Sequence, residues 1–178
     1  MKNKFNAKQC YWDNHKNCMA WDLQEVYKTR ACSVKEFTER YIRFDSMFEM
    51  EVYEALVKYF PKQQIGLQVP IQLLSPCVCF PRGKMWRIDF AIYSATKPRR
   101  IIRLVEAKGV WTNVFTMNLA ILEQYNLHAF DTLDIVMQQV PAKKSIIKNI
   151  NNSDTGIKVI SLGMYKGYLL ETFEARHG

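Results

Sequence analysis

The chain reads as an α/β protein on three observations. Trp86–Tyr93 alternates apolar and polar residues as a strand does, Ser46–Phe60 carries an apolar stripe at helical spacing, and Ile101–Met137 spaces a strand, a helix and a strand as a crossover unit does. The elements follow in order. Ser33-Val34-Lys35-Glu36 forms a capping box and opens a helix with Phe37 and Tyr41 on one face. A second helix spans about Ser46 to Phe60 and is stopped by Pro61. Phe48, Val52, Ala55, Leu56 and Tyr59 form its stripe, with Glu51, Glu54 and Lys58 opposite. Glu49 falls three and seven residues before Val52 and Leu56, on the apolar side.

Three β-segments come next. Ile65–Leu74 is extended and apolar, and its Pro70 marks an edge strand or a bulge. In the second, Trp86, Ile88, Phe90 and Ile92 face one way and Arg87, Asp89, Ala91 and Tyr93 the other. Ile101–Lys108 is the third, after the basic connection Lys97-Pro98-Arg99-Arg100. A helix over about Thr112–Leu127 leads to the strand Leu133–Met137, which a crossover places parallel to the third. The tail reads as a short basic helix over Pro141–Ile150 and two closing strands, Ile157–Leu162 and Lys166–Thr172, around Gly163. The order αβββαβ predicts a mixed central sheet flanked by helices. Residues 1–44 read as a polar, partly helical extension and 45–178 as the main domain.

The 178 residues are 48% hydrophobic and 13% aromatic, enough for a buried core. A net charge of +8 and a pI of about 9.3 suit a polyanionic partner. No apolar run approaches the roughly 18 residues that cross a bilayer. Met1-Lys2-Asn3-Lys4-Phe5 is followed by polar residues, unlike a secretory leader, so no membrane and a cytoplasmic location (host cytoplasm for a phage protein) are expected. Five irregularly spaced cysteines suit a reducing compartment. Neither Cys77-Val78-Cys79 nor the set Cys10, His15 and Cys18 has the paired spacing of a zinc site, so these thiols are expected to be buried and inert. The chain has no Gly-rich phosphate loop, and His128 and His177 have no nucleophile-elbow partner.

The chemistry concentrates on two neighbouring strands. Alternation puts Glu106 and Lys108 on one strand face and Val105 and Ala107 on the other. A Glu and a Lys at the end of an apolar strand are costly to bury unless paired or bound to an ion. Asp89 interrupts the preceding strand in the same way. Two carboxylates with a lysine beside them suit a hard divalent cation, for which magnesium takes one or two carboxylates plus water and phosphate oxygens. Such an ion polarises a phosphate and acidifies an attacking water. Lys108 is then placed to orient that water or to offset the charge that develops on the phosphate. If the Ser46 helix packs on the sheet, its apolar side brings Glu49 toward these carboxylates. Plainer roles exist for each residue. Glu49 suits the return arm of a capping box begun by Ser46, Asp89 suits a partner for Arg87 or Arg103, and Glu106 with Lys108 suits a surface ion pair. Trp86 and Trp111 suit core positions better than base stacking, and Gln124 and Tyr125 read as helix-surface polarity.

The pattern Glu49 … Asp89 … Glu106-Ala107-Lys108 resembles the PD-(D/E)xK nuclease superfamily, whose fold is restriction-endonuclease-like, over about Ser46–Met137. Ser46-Met47-Phe48-Glu49 and Val105–Trp111 look most similar to phage-type Holliday junction resolvases and to the endonuclease subunit of heteromeric transposases. Ile88 stands where the motif has its proline. The resemblance implies a DNA endonuclease with Glu49, Asp89, Glu106 and Lys108 as catalytic residues. Magnesium, with manganese as a substitute, is expected on Asp89, Glu106, Glu49 and the backbone carbonyl of Ala107. DNA contacts are expected from Lys84, Arg87, Lys97, Arg99, Arg100, Arg103, Lys143 and Lys144. A homodimer, or partner subunits of a recombination or transposition complex, is the expected assembly. The substrate reading divides between structure-selective or transposition-related cleavage and a sequence-specific homing or restriction type. The contrasting class is a nucleic-acid-binding module that keeps the fold without catalysis.

Overall fold

A computed structural model describes residues 10–141 and 145–177, with no side chains described for 172–177. The chain divides into two compact units, 1–54 and 55–178. The division falls inside a helix that the sequence places wholly in the main domain.

The first unit has a sheet of its own. Strands β1 (Cys10–Asp13), β2 (Cys18–Met19) and β3 (Tyr41–Phe44) pair antiparallel in the order β2-β1-β3. Helix α1 (Leu23–Cys32) is capped by Asp22, whose carboxylate accepts the N–H groups of Gln24 and Glu25. Helix α2 (Val34–Arg40) starts as expected, with the Ser33 hydroxyl accepting from Glu36 N–H. It is shorter than its apolar face suggests, because Tyr41 leaves the helix and begins β3. Tyr11, Val26 and Tyr41 form a buried cluster against which Phe37 packs. Beside it Arg40 bridges the buried Asp13 and Glu25. The stretch expected as a polar extension therefore carries a small core, which irregularly spaced aromatics hide from a periodicity argument. Helix α3 (Met47–Val57) begins in this unit.

The second unit is built on a five-stranded sheet in the order β4-β5-β6-β7-β8. Its strands are β4 (Ile65–Leu74), β5 (Lys84–Tyr93), β6 (Ile101–Lys108), β7 (Leu133–Met137) and β8 (Lys158–Ser161). β4, β5 and β6 pair antiparallel, while β6, β7 and β8 pair parallel, so the sheet is mixed and the crossover runs as predicted. β4 is the edge strand, where Pro70 costs no interior ladder bond. Helix α4 (Asn113–Tyr125) is capped by Thr112, and Asn126 both ends it and caps α5 (Leu127–Asp131). Ile88, Leu104, Phe115, Leu119, Leu122, Phe130 and Ile135 belong to the core of this unit.

Helix α6 (Ser145–Asn151) matches the predicted basic helix as far as the described residues reach. The second closing strand is a correction: Lys166–Thr172 lies in helix α7 (Leu162–His177). Tyr165 and Leu169 are both buried and four apart, which is helical spacing. The cysteines are a second correction. Cys10 is buried, whereas Cys18, Cys32, Cys77 and Cys79 are exposed. Among the described residues no helix is long and apolar enough to cross a membrane.

β5 also departs from strict alternation. Trp86 and Ile88 share the α4-side core with Ala91 and Leu104, although Ile88 and Ala91 are three residues apart. An uninterrupted strand sends such a pair to opposite faces. The ribbon changes face across Asp89 and Phe90. Opposite this point β4 skips one ladder pair, between Leu67–Phe90 and Val69–Ile88, at Gln68, whose φ of 49° is left-handed.

Candidate active site

β5 and β6 bring Asp89 and Glu106 together. Their ladder pairs Phe90 with Val105, so Asp89 and Glu106 are the next residues on each strand. They are cross-linked through backbone. Ala107 N–H donates to Asp89 Oδ2 at 2.8 Å, and Asp89 N–H donates to Glu106 Oε2 at 3.4 Å. Each carboxylate thus accepts a backbone bond from the other's strand just past the end of the regular ladder. Glu106 is 6% exposed, among the buried charged residues. In a strand the N–H and C=O of one residue leave on the same side, so the Ala107 carbonyl lies on the β5 side with its N–H.

Lys108 follows on the same face as Glu106, with Nζ 4.0 Å from Glu106 Oε1 and 4.6 Å from the centre of the Phe115 ring. Phe115 is fixed in turn by its N–H bond to the Thr112 cap and by edge-on contacts with Trp86 and Trp111. The two tryptophans are thus core residues, as expected, and Trp111 Nε1–H is satisfied by Thr116 Oγ1 at 2.8 Å. Gln68 Nε2 donates to Asp89 Oδ1 at 3.1 Å. Neither Gln68 nor Phe115 stands out in the sequence pattern. One contact depends on cross-strand register and the other on helix packing, and neither leaves a periodic trace.

Glu49 belongs to the first unit. Its N–H donates to Ser46 Oγ and its Oε2 accepts from Asp45 N–H, both at 3.1 Å, so it is the return arm of a helix cap. It is also 8% exposed, which is unusual for a carboxylate that only caps.

The basic residues separate by place. Lys84 and Arg87 lie at the start of β5, which the antiparallel pairing sets beside the Lys108 end of β6. Lys97, Arg99 and Arg100 are exposed on the turn at the other end of the same two strands, closed by Ser94 N–H to Arg100 O and Arg100 N–H to Ser94 Oγ. From Ile101 to Glu106 the strand spans about 17 Å, so this turn is remote from the carboxylates. Arg103 is a correction to the predicted DNA contacts. It sits on the opposite face of β6 from Glu106, and its guanidinium is committed to the buried carboxylate of Asp134 and to the carbonyls of Asp131 and Gly156. Burial alone would lower the Arg103 pKa, but its bonds to Asp134 outweigh that and raise it. Lys143 and Lys144 lie outside the described residues.

The donor set suits a hard ion. It consists of carboxylate and carbonyl oxygens, with no thiol or imidazole among the residues described above. Among the described residues no group of three or more His, Cys, Asp and Glu gathers as a ligand set. Two carboxylates is the number magnesium accepts when water and phosphate complete its shell. Comparison with protein-family models, with curated proteins and with solved structures found no match to this chain.

Proposed function

We propose that this chain is a magnesium-dependent DNA endonuclease of the PD-(D/E)xK type. The observation that carries the reading is the reciprocal backbone clamp that holds Asp89 and Glu106 side by side at the end of the β5–β6 ladder, with Lys108 next to them. A pair of carboxylates placed this closely repels unless a cation or a proton shares the site. In this reading Asp89, Glu106 and the Ala107 carbonyl hold magnesium or manganese. The bound ion supplies Lewis acidity for phosphodiester hydrolysis. Glu49 is a further ligand on the sequence resemblance alone.

The remaining roles fall to the protein's own groups. Glu106 and the Phe115 ring orient the Lys108 ammonium, which stabilises negative charge developing on the scissile phosphate. Arg87 and Lys84 contact the DNA backbone on the same end of the sheet, fixing position without reading sequence. DNA is accordingly the proposed partner. Cutting two strands symmetrically calls for a dimer or for partner subunits.

The test uses supercoiled, linear and four-way-junction DNA with Mg²⁺ or EDTA. Cleavage that needs the metal and is lost in Asp89→Ala and Lys108→Ala supports the enzyme. Tight binding without cleavage under any divalent ion overturns it in favour of a binding module. Junction-only cutting selects a resolvase, and cutting that needs another protein selects a transposase subunit.

A further inference from the structure

Gln68 combines three features that a surface glutamine has no need of. Its φ of 49° lies in the left-handed region, inside a ten-residue strand and without glycine's freedom. It occupies the position where the β4–β5 ladder skips a pair and where β5 changes face. Its side-chain amide reaches across that gap to Asp89 Oδ1 at 3.1 Å. Strained backbone of this kind persists only where surrounding structure maintains it, and it collects at functional sites.

From this geometry we infer that Gln68 is a positioning residue for the metal ligand Asp89, an inference that rests on the nuclease reading above. Asp89 is held at three points. Its N–H is tied to Glu106 Oε2, its Oδ2 to Ala107 N–H, and its Oδ1 to the Gln68 amide. The first two bonds belong to β6. The third comes from β4, on the other side of β5, and it fixes the carboxylate's rotation about its last bond. Gln68 stands opposite Asp89 in the β4–β5 register, the edge-strand position from which a side chain reaches that carboxylate. Partners of this kind orient metal ligands, and their loss typically weakens ion affinity about 10–100-fold.

The experiment separates the amide from the backbone. Gln68→Ala removes the amide and keeps the strained φ, whereas Gln68→Gly removes both. The full-length protein and both variants are titrated with Mn²⁺ by calorimetry and melted without metal. The expected result is Mn²⁺ affinity at least about tenfold weaker in both variants, with Gln68→Gly melting above Gln68→Ala. Cleavage by both variants is expected to recover as Mn²⁺ is raised, which damage to the fold alone would not produce. Unchanged Mn²⁺ affinity in the variants, beside a wild type that binds the ion, overturns the role of Gln68 and leaves the nuclease reading standing. A wild type that binds no Mn²⁺ overturns both.

Discussion

The ammonium of Lys108 lies 4.6 Å from the centre of the Phe115 ring, so the first turn of α4 helps to hold a charge carried by β6. The motif strand and the helix that follows it are thus one device. On the proposed nuclease reading, Lys108→Met is expected to lower the cleavage rate by about 10²–10³, the usual cost of removing a charge aimed at the transition state. Phe115→Leu keeps an apolar side chain and removes only the ring face. Its expected loss is about fivefold, equivalent to ~1 kcal/mol of cation–π interaction. Single-turnover rates at saturating Mg²⁺ check both. A Phe115→Leu defect as large as that of Lys108→Met would instead indicate collapse of the Trp86–Phe115–Trp111 packing, which a melting curve detects.

Arg103 and Arg87 should part company in two assays. Arg103→Met leaves Asp134 buried without its counter-charge, and the expected cost is about 3–5 kcal/mol in urea unfolding. Arg103→Met/Asp134→Leu replaces the pair with apolar side chains and is expected to recover most of that stability. Arg87→Ala should leave stability within about 0.5 kcal/mol and reduce the salt slope of DNA binding by about one. A salt slope lowered by Arg103→Met in protein that remains folded would return Arg103 to the DNA-binding set.

Much of the second unit was legible because its elements are periodic and follow one another in a crossover order. The apolar strand pattern of β5 and the strand–helix–strand spacing from β6 through α4 to β7 each mark an element of the sheet, although the alternation of β5 assigned Phe90 and Ile92 to the same face as Ile88. Asp89, Glu106 and Lys108 stood out for the same reason, as charges that break an apolar pattern. What escaped depends on contacts between distant segments. Arg103 looked like part of a basic cluster, and only the parallel pairing of β6 with β7 supplies it with Asp134. α7 was misread because Gly163 and Gly167 weaken a helical pattern that Tyr165 and Leu169 still satisfy. The first unit was missed because its strands are two to four residues long, too short to establish a period.

Acid should remove the stabilisation that the Asp13–Arg40 pair supplies. Burial alone would raise the Asp13 pKa, but the N–H groups of Lys16 and His15 and the Arg40 guanidinium outweigh it and hold the carboxyl below its ordinary range. A depressed folded value favours the charged form, so its contribution is complete above the unfolded pKa of about 3.9. The contribution is lost as pH falls from there through the lower folded value. Melting temperatures measured in steps from pH 6 to pH 2 should drop in that window, and Asp13→Asn should flatten the drop while lowering stability at neutral pH. An Asp13→Asn profile parallel to wild type would assign the acid response to other carboxylates.

Thiol reactivity offers a last test, and it reaches Glu49 as well. Cys10 is buried, its Sγ–H donates to Ser46 O at 3.2 Å, and its pKa is pushed up to about 11 by burial and then by the charges of Glu49, Asp45 and Glu51. The thiolate is the reactive species. At pH 8, therefore, the exposed Cys18, Cys32, Cys77 and Cys79 should alkylate with iodoacetamide far faster than the buried Cys10. Peptide mass spectrometry over time measures this, and denaturant should abolish the difference. Glu49→Gln removes one of the charges that disfavour the thiolate, so Cys10 alkylation should speed up. If Glu49 also binds magnesium, adding Mg²⁺ to the wild type offsets that same charge and should speed up Cys10 in the same direction, with no such effect in Glu49→Gln. A Cys10 rate indifferent to Mg²⁺, in protein whose cleavage requires the ion, would confine the metal ligands to Asp89, Glu106 and the Ala107 carbonyl.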